Sequence, residues 1–107
     1  MKLSISPEAR KQLNQLNTEN SRYLLLWYDT DGCGCGVNGM PTIRFTNEKT
    51  SSDIKVDNDM YSVLIHKQQA TFFAENMSLS LVNGVFRLSS PEGILNPFIS
   101  QQSVCEV

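Results

Sequence analysis

The spacing of apolar residues changes along this chain, and with it the structure each segment predicts. Ala9, Leu13 and Leu16 recur three and four positions apart, one stripe of an amphipathic helix. Ser6-Pro-Glu8 opens that helix: the Ser6 hydroxyl can accept from the free N–H groups of the first turn, Pro7 suits the first helical position, and Glu8 complements the dipole. The helix should end near Asn17, where Asn17-Thr-Glu-Asn-Ser21 turns polar. From Arg22 to Thr30 the run Tyr-Leu-Leu-Leu-Trp-Tyr is apolar on both faces, the mark of a central, covered strand. Met40 to Thr46 alternates through Ile43 and Phe45 and reads as the next strand.

Further on, Ile54-Lys-Val56 suggests a short edge strand, Tyr61 to Ile65 a better one, and Lys67 to Glu75 a short helix carrying Ala70, Phe73 and Ala74. Met77, Leu79 and Leu81, then Asn83-Gly84, then Val85-Phe-Arg-Leu88 make a hairpin signal, because Asn-Gly supplies the two positive φ angles of a tight turn. Pro91, Gly93 and Pro97 argue against a regular element after Ser90, and Gln101 to Val107 reads as a mobile polar tail. The expected fold is mainly β with one or two helices.

At 107 residues the chain suits a single domain, 1–107, with one core. Nine Lys and Arg against eleven Asp and Glu give a net charge of -2 with no basic stripe, which removes the electrostatic basis for a nucleic-acid partner. The opening Met1-Lys-Leu-Ser-Ile-Ser6 lacks the apolar run of a signal peptide, and the longest apolar stretch, Leu24 to Tyr28, is too short to span a bilayer. No membrane and a cytoplasmic location are the expectation.

Chemistry concentrates in Asp29-Thr-Asp-Gly-Cys-Gly-Cys-Gly-Val-Asn-Gly39, where four glycines fall within eight positions. Three cysteines, Cys33, Cys35 and Cys105, are an odd count, and two separated by one residue would close a strained bridge, so thiolate chemistry is the better reading than a disulfide framework. Gly34 and Gly36 can take positive φ, letting both sulfurs turn toward one centre, and thiolates select zinc, Cu(I) or iron-sulfur centres. Asp29 and Asp31 would raise nearby thiol pKa values, which disfavours a free nucleophilic thiolate, whereas a bound cation would turn the same carboxylates into an asset. One chain offers three thiols where an iron-sulfur cluster usually takes four. A second subunit or exogenous ligands would complete the set.

Asp31-Gly-Cys-Gly-Cys-Gly-Val-Asn-Gly-Met40, preceded by the Ser6-Pro-Glu-Ala9 helix and an apolar strand, resembles the first cysteine loop of HesB/IscA-like iron-sulfur cluster biogenesis proteins. Gly84-Val-Phe-Arg-Leu88, Pro91 and Asn96-Pro97 resemble the family's final strand and the segment leading to its C-terminal cysteines, so the likeness runs over residues 3 to 99. It implies a HesB-like fold, a small mixed-sheet sandwich or distorted barrel. It also implies that iron or an iron-sulfur cluster, with zinc as a variant, is bound: on the family's pattern either Cys33 or Cys35 is the loop ligand and Cys105 stands in for the tail pair, and the expected ligand set here is Cys33, Cys35 and Cys105. Apoprotein clients and cluster-assembly proteins are the implied partners, a homo-oligomer the implied assembly, and carriage the role in place of catalysis. The pattern departs from the family in one respect: cluster-carrying members have one cysteine in the loop and a Cys-Gly-Cys pair near the C-terminus, and here the pair is in the loop.

Other residues read more plainly. His66 closes an apolar strand as a boundary histidine, Asp29 and Asp31 are turn formers, and Trp27, Tyr28, Phe72, Phe73 and Phe86 are packing residues. No hydrolytic triad, phosphate loop or dinucleotide fingerprint is present. Two rival functions use the same loop: a thiol-redox or persulfide handler, which needs a depressed thiol pKa, and a metal-free interaction module, which needs no thiols.

Overall fold

The computed structural model describes residues 1–18, 20–29, 40–58 and 61–105. Two four-stranded sheets face each other. The first, in the order β3-β2-β5-β4, contains β2 (Tyr23–Asp29), β3 (Met40–Thr46), β4 (Asp53–Val56) and β5 (Ser62–His66). The second, in the order β1-β6-β7-β8, contains β1 (Lys2–Ile5), β6 (Asn76–Val82), β7 (Val85–Ser90) and β8 (Gly93–Ile99). Both sheets are mixed, since β2 runs parallel to β5 and β1 parallel to β6.

Alternation along the strands builds the core. Leu24, Leu26, Ile43, Phe45, Val63 and Ile65 point inward from one sheet, Met77, Leu79, Phe86, Leu88 and Ile99 from the other, and all are buried. α1 (Pro7–Leu16) adds Ala9 and Leu13 to this cluster, the stripe the sequence predicts. Its start is capped as expected: the Ser6 Oγ accepts from the Ala9 amide at 3.1 Å. Asn83 and Gly84, at φ 51° and 82°, form the two-residue β6–β7 turn between the paired Val82 and Val85.

The sandwich reading holds and the barrel does not. One seam carries the single bridge Lys2 to Asp57, and no ladder joins β3 to β8 among the described residues. Three further expectations change. The helix expected over Lys67 to Glu75 is a 3-10 segment, Lys67–Phe72. The stretch after Ser90 is not irregular but forms β8, because it lies at a sheet edge, where the missing N–H of Pro97 need not cost a ladder bond. The polar tail is not free: α2 (Gln101–Cys105) folds back onto β3 and α1 and buries Val104 completely in the core. β1 carries no clear local signal, and its pairing partner, β6, lies over seventy positions along the chain.

Candidate functional site

β2 and β3 form a hairpin paired to its last rung, Asp29 opposite Met40. The connection between them carries Cys33 and Cys35, which lie outside the described residues together with Asp31 and the four loop glycines. The root from which that connection springs is described, and it is held on both sides.

On one side, β5 ends at His66, so its parallel pairing with β2 stops at Leu26 and Ile65. The Tyr28 amide would then face no ladder partner; instead it donates to Gln69 Oε1 at 3.0 Å. The Tyr28 ring stacks on Phe72 with centroids 3.8 Å apart and planes within 10°. Both partners come from the 3-10 segment, whose start is fixed by His66: its Nδ1 accepts from the Gln68 amide at 3.2 Å. His66 is thus the boundary histidine its position suggests, working as a cap.

On the other side stands Pro41, the cross-strand partner of Tyr28. Lacking an N–H, it suits an edge strand, and β3 is one. The Pro41 carbonyl accepts from the Asn96 Nδ2 at 2.7 Å, a buried bond, while the Asn96 Oδ1 accepts from the Phe98 amide at 3.0 Å. The register of β8 explains how an asparagine comes to face inward there. Leu88 pairs with Asn96, Ser89 with Ile94 and Phe86 with Ile99, so Leu95 is one extra residue and Pro97-Phe98 stand opposite Arg87 alone. Two bulges bracket Asn96 and re-aim its side chain toward the neighbouring sheet.

From Asn96 the chain continues through Ile99 into α2. Gln101 Nε2 donates to the Gly84 carbonyl at 2.7 Å, and Gln12 Nε2 donates to Gln101 Oε1 at 2.8 Å. Buried Val104 precedes Cys105, so the backbone at Cys105 is tied to the core, and α2 rests on β3, the strand that leaves the cysteine loop. The Cys105 thiol lies outside the described part. The fold therefore packs α2, which ends at Cys105, on β3, the strand that follows the segment of Cys33 and Cys35, while the placement of that segment and the convergence of the sulfurs fall outside the described residues.

Elsewhere, among the described residues, no group of three or more His, Cys, Asp or Glu could hold a metal. A cleft of about 260 Å³ on the outer face of the β3-β2-β5-β4 sheet is lined by Trp27, Arg44, Glu48, Asp53 and His66 among others. Its polar groups are partly spent on the protein itself: Asp53 Oδ2 accepts from the Thr50 amide at 2.9 Å, His66 caps its turn, and the Arg44 guanidinium lies 4.5 Å over the Trp27 ring. Asn96 and Gln69 are the positioning residues that residue-by-residue reading of the sequence misses, whereas Phe72 packs as expected, with Tyr28 as its partner. Only the Asn96-Pro97 pair carried a signal, through its resemblance to the family's segment.

A family model described as iron-sulphur cluster biosynthesis matches residues 1–101. The chain is 29% identical over 103 residues to the uncharacterized protein YqkB of Bacillus subtilis (strain 168), covering 94% of this chain and 96% of that one. A crystal structure of a Lactobacillus acidophilus protein assigned to Fe-S biosynthesis superposes with TM-score 0.75 at 17% identity, over 98% of this chain and 94% of the other. The crystal structure of IscA with the [2Fe-2S] cluster superposes with TM-score 0.62 at 13% identity, over 91% and 98%. At such identities the two structures establish a shared fold.

Proposed function

Because the chain belongs to the iron-sulphur cluster biosynthesis family, we propose that it assembles, holds and passes on iron or an iron-sulfur cluster through the thiolates of Cys33, Cys35 and Cys105. The cluster is cargo. It enters with its own iron and sulfide, is ligated by deprotonated thiols, and leaves by exchange of those thiolates for the cysteines of an apoprotein client. Three thiols per chain fall one short of the usual set, so a second copy or the incoming client supplies the fourth donor, which keeps the hold weak enough for transfer. Zinc would suit the same soft donors.

The observation that carries this reading is that the cysteine loop and the helix bearing Cys105 are both tied to β3: the loop ends at Met40, and α2 packs on the same strand. A core that gathers separate cysteine segments onto one strand supports shared ligation more than three independent surface thiols. The likeness to IscA, solved with a [2Fe-2S] cluster, supports the cluster as the cargo. Carriage in place of catalysis, a cytoplasmic setting and a homo-oligomer belong to the same proposal.

The test is anaerobic reconstitution with iron and sulfide, read by visible absorption and iron and sulfide content, on wild type and on Cys33→Ser, Cys35→Ser and Cys105→Ser. Coloured wild type and bleached loop variants are expected. A protein that stays colourless and metal-free after reconstitution overturns the proposal in favour of a metal-free interaction module. Quantitative formation of a Cys33–Cys35 disulfide in redox buffer, without metal uptake, favours the thiol-redox reading.

A further inference from the structure

β3 and β4 lie at opposite edges of their sheet, and its inner face is filled by the core, so the connection 47–52 has to cross the outer face. It is tied down at both ends. Asn47 Oδ1 accepts from the Arg22 amide at 2.9 Å, and the Ser52 carbonyl accepts from the Lys67 amide at 2.8 Å. Leu64 alternates with the inward Val63 and Ile65 and so points to this outer face, yet it is only 2% exposed: the face is covered. Between strap and sheet remains the cleft of about 260 Å³.

Three buried side-chain nitrogens among the described residues have no hydrogen-bond partner, Trp27 Nε1, Arg44 Nε and Arg87 Nε, and two of them belong to side chains that line this cleft. The Arg44 guanidinium lies 4.5 Å over the Trp27 ring and makes no ion pair among the described residues, although Glu48 and Asp53 line the same cleft. Folding has thus laid a cation on an aromatic face with two N–H groups sealed from water and from protein. That arrangement costs desolvation, which an acceptor from outside would relieve once the guanidinium lifts to meet it.

The remaining groups divide by sign. His66 accepts through Nδ1, so its Nε2 carries the hydrogen, and Gln69 accepts through Oε1, which leaves its Nε2 to donate. Asp53 has committed only Oδ2, to the Thr50 amide, and the exposed Glu48 has committed neither oxygen among the described residues. A bare anion would meet Arg44 but also two carboxylates, and a bare cation would meet the carboxylates but also Arg44. A small molecule carrying both charges satisfies the whole set. The cleft holds the volume of roughly nine waters and falls just below the span of pockets for drug-sized ligands, which suits a molecule of amino-acid size.

We propose that this cleft binds a free α-amino acid, its carboxylate on the Arg44 guanidinium and the Trp27 N–H, its ammonium group between Glu48 and Asp53. No cysteine lines the cleft among the described residues, so the site is separate from the candidate cargo ligands and does not depend on the carrier reading.

Trp27 is the only tryptophan of the chain, so its emission reports occupancy directly. The experiment titrates the unloaded full chain with each common L-amino acid, then with the α-amide and N-acetyl derivatives of the tightest binder and with acetate. Wild type is compared with Arg44→Gln, both checked for thermal midpoint. A saturable change at sub-millimolar concentration is expected for at least one amino acid, weakened about tenfold or more when either charge is removed from the ligand and in Arg44→Gln. No saturable response to any amino acid overturns the proposal. So does an N-acetyl derivative or acetate that binds as well as the parent, since the site then takes a bare anion, and so does a folded Arg44→Gln that binds as wild type does. The derivatives are tested on wild type and decide the matter whatever Arg44→Gln does to stability. Cluster loading has no part in the readout, so failure of the carrier reading leaves this result intact.

Discussion

Replacing Asn96 with alanine should loosen the loop root and destabilise the whole domain, by an amount the geometry bounds. The substitution removes a 2.7 Å bond to the Pro41 carbonyl and a 3.0 Å bond from the Phe98 amide. Each is worth about 0.5–1.5 kcal/mol net, and a buried carbonyl left without a donor adds about 1–3 kcal/mol of uncompensated desolvation. Pro41 is buried and at a sheet edge, so no ladder donor can replace the lost one. A loss of about 2–6 kcal/mol follows, which for a chain of this size is roughly a 10–25 °C fall in thermal midpoint. Urea unfolding followed by Trp27 fluorescence gives the free energy, and amide exchange at Met40 and Tyr28 gives the local part. Asn96→Asp sharpens the test: its carboxylate still accepts from Phe98 but cannot donate to Pro41 when ionised, so it should be no more stable than alanine at neutral pH. A loss below about 0.5 kcal/mol in Asn96→Ala, with exchange at the loop root unchanged, would refute the idea that this side chain clamps the root.

Other perturbations probe the rest of the frame. Val104→Asp places an unpaired carboxylate in the core and should release α2, seen as cleavage after Phe98 by a protease that spares wild type, with a stability loss of about 2–4 kcal/mol. Gly84→Ala forces a Cβ into a turn position at φ 82°, open space but a left-handed backbone, and should cost about 1–2 kcal/mol in chemical unfolding without altering metal uptake. Burial pushes the Tyr61 phenol above its ordinary value of 10.0, opposed in part by Arg10, and its hydroxyl donates to Asn14 Oδ1. Its folded-state pKa is raised, so its contribution is present below pH 10 and is lost as pH rises beyond that value through the folded pKa. Tyr61→Phe should therefore show a shallower decline in thermal midpoint above pH 10 than wild type.

The parts of the fold that local chemistry dictates were legible in the sequence. Ser6-Pro7 fixed the start of α1, the 3.6-residue stripe fixed its buried face, and Asn83-Gly84 fixed the β6–β7 hairpin. What local pattern misreads is whatever distant contacts decide. Gly93 and Pro97 are breakers in a central strand yet are accommodated in β8, which has a free edge and two bulges. The polar residues Gln101 and Gln102 suggest a solvated tail, but one valine at position 104 and two side-chain hydrogen bonds from Gln101 and Gln12 dock it. The same division runs through the site. Clustered glycines and cysteines announce the loop on their own, whereas Asn96 and Gln69 act across 55 and 41 positions of sequence and leave no local trace of their partners.

The central claim is that sulfur from this chain is the direct ligand of the cargo iron. X-ray absorption at the iron edge of protein loaded anaerobically with iron alone, so that no inorganic sulfide can enter the shell, addresses it without recourse to activity. A first shell dominated by sulfur in wild type, replaced by oxygen or nitrogen when Cys33 and Cys35 are both changed to serine, is the outcome expected here. An iron shell of oxygen and nitrogen in the wild type, or a sulfur shell that survives the double change intact, would contradict it.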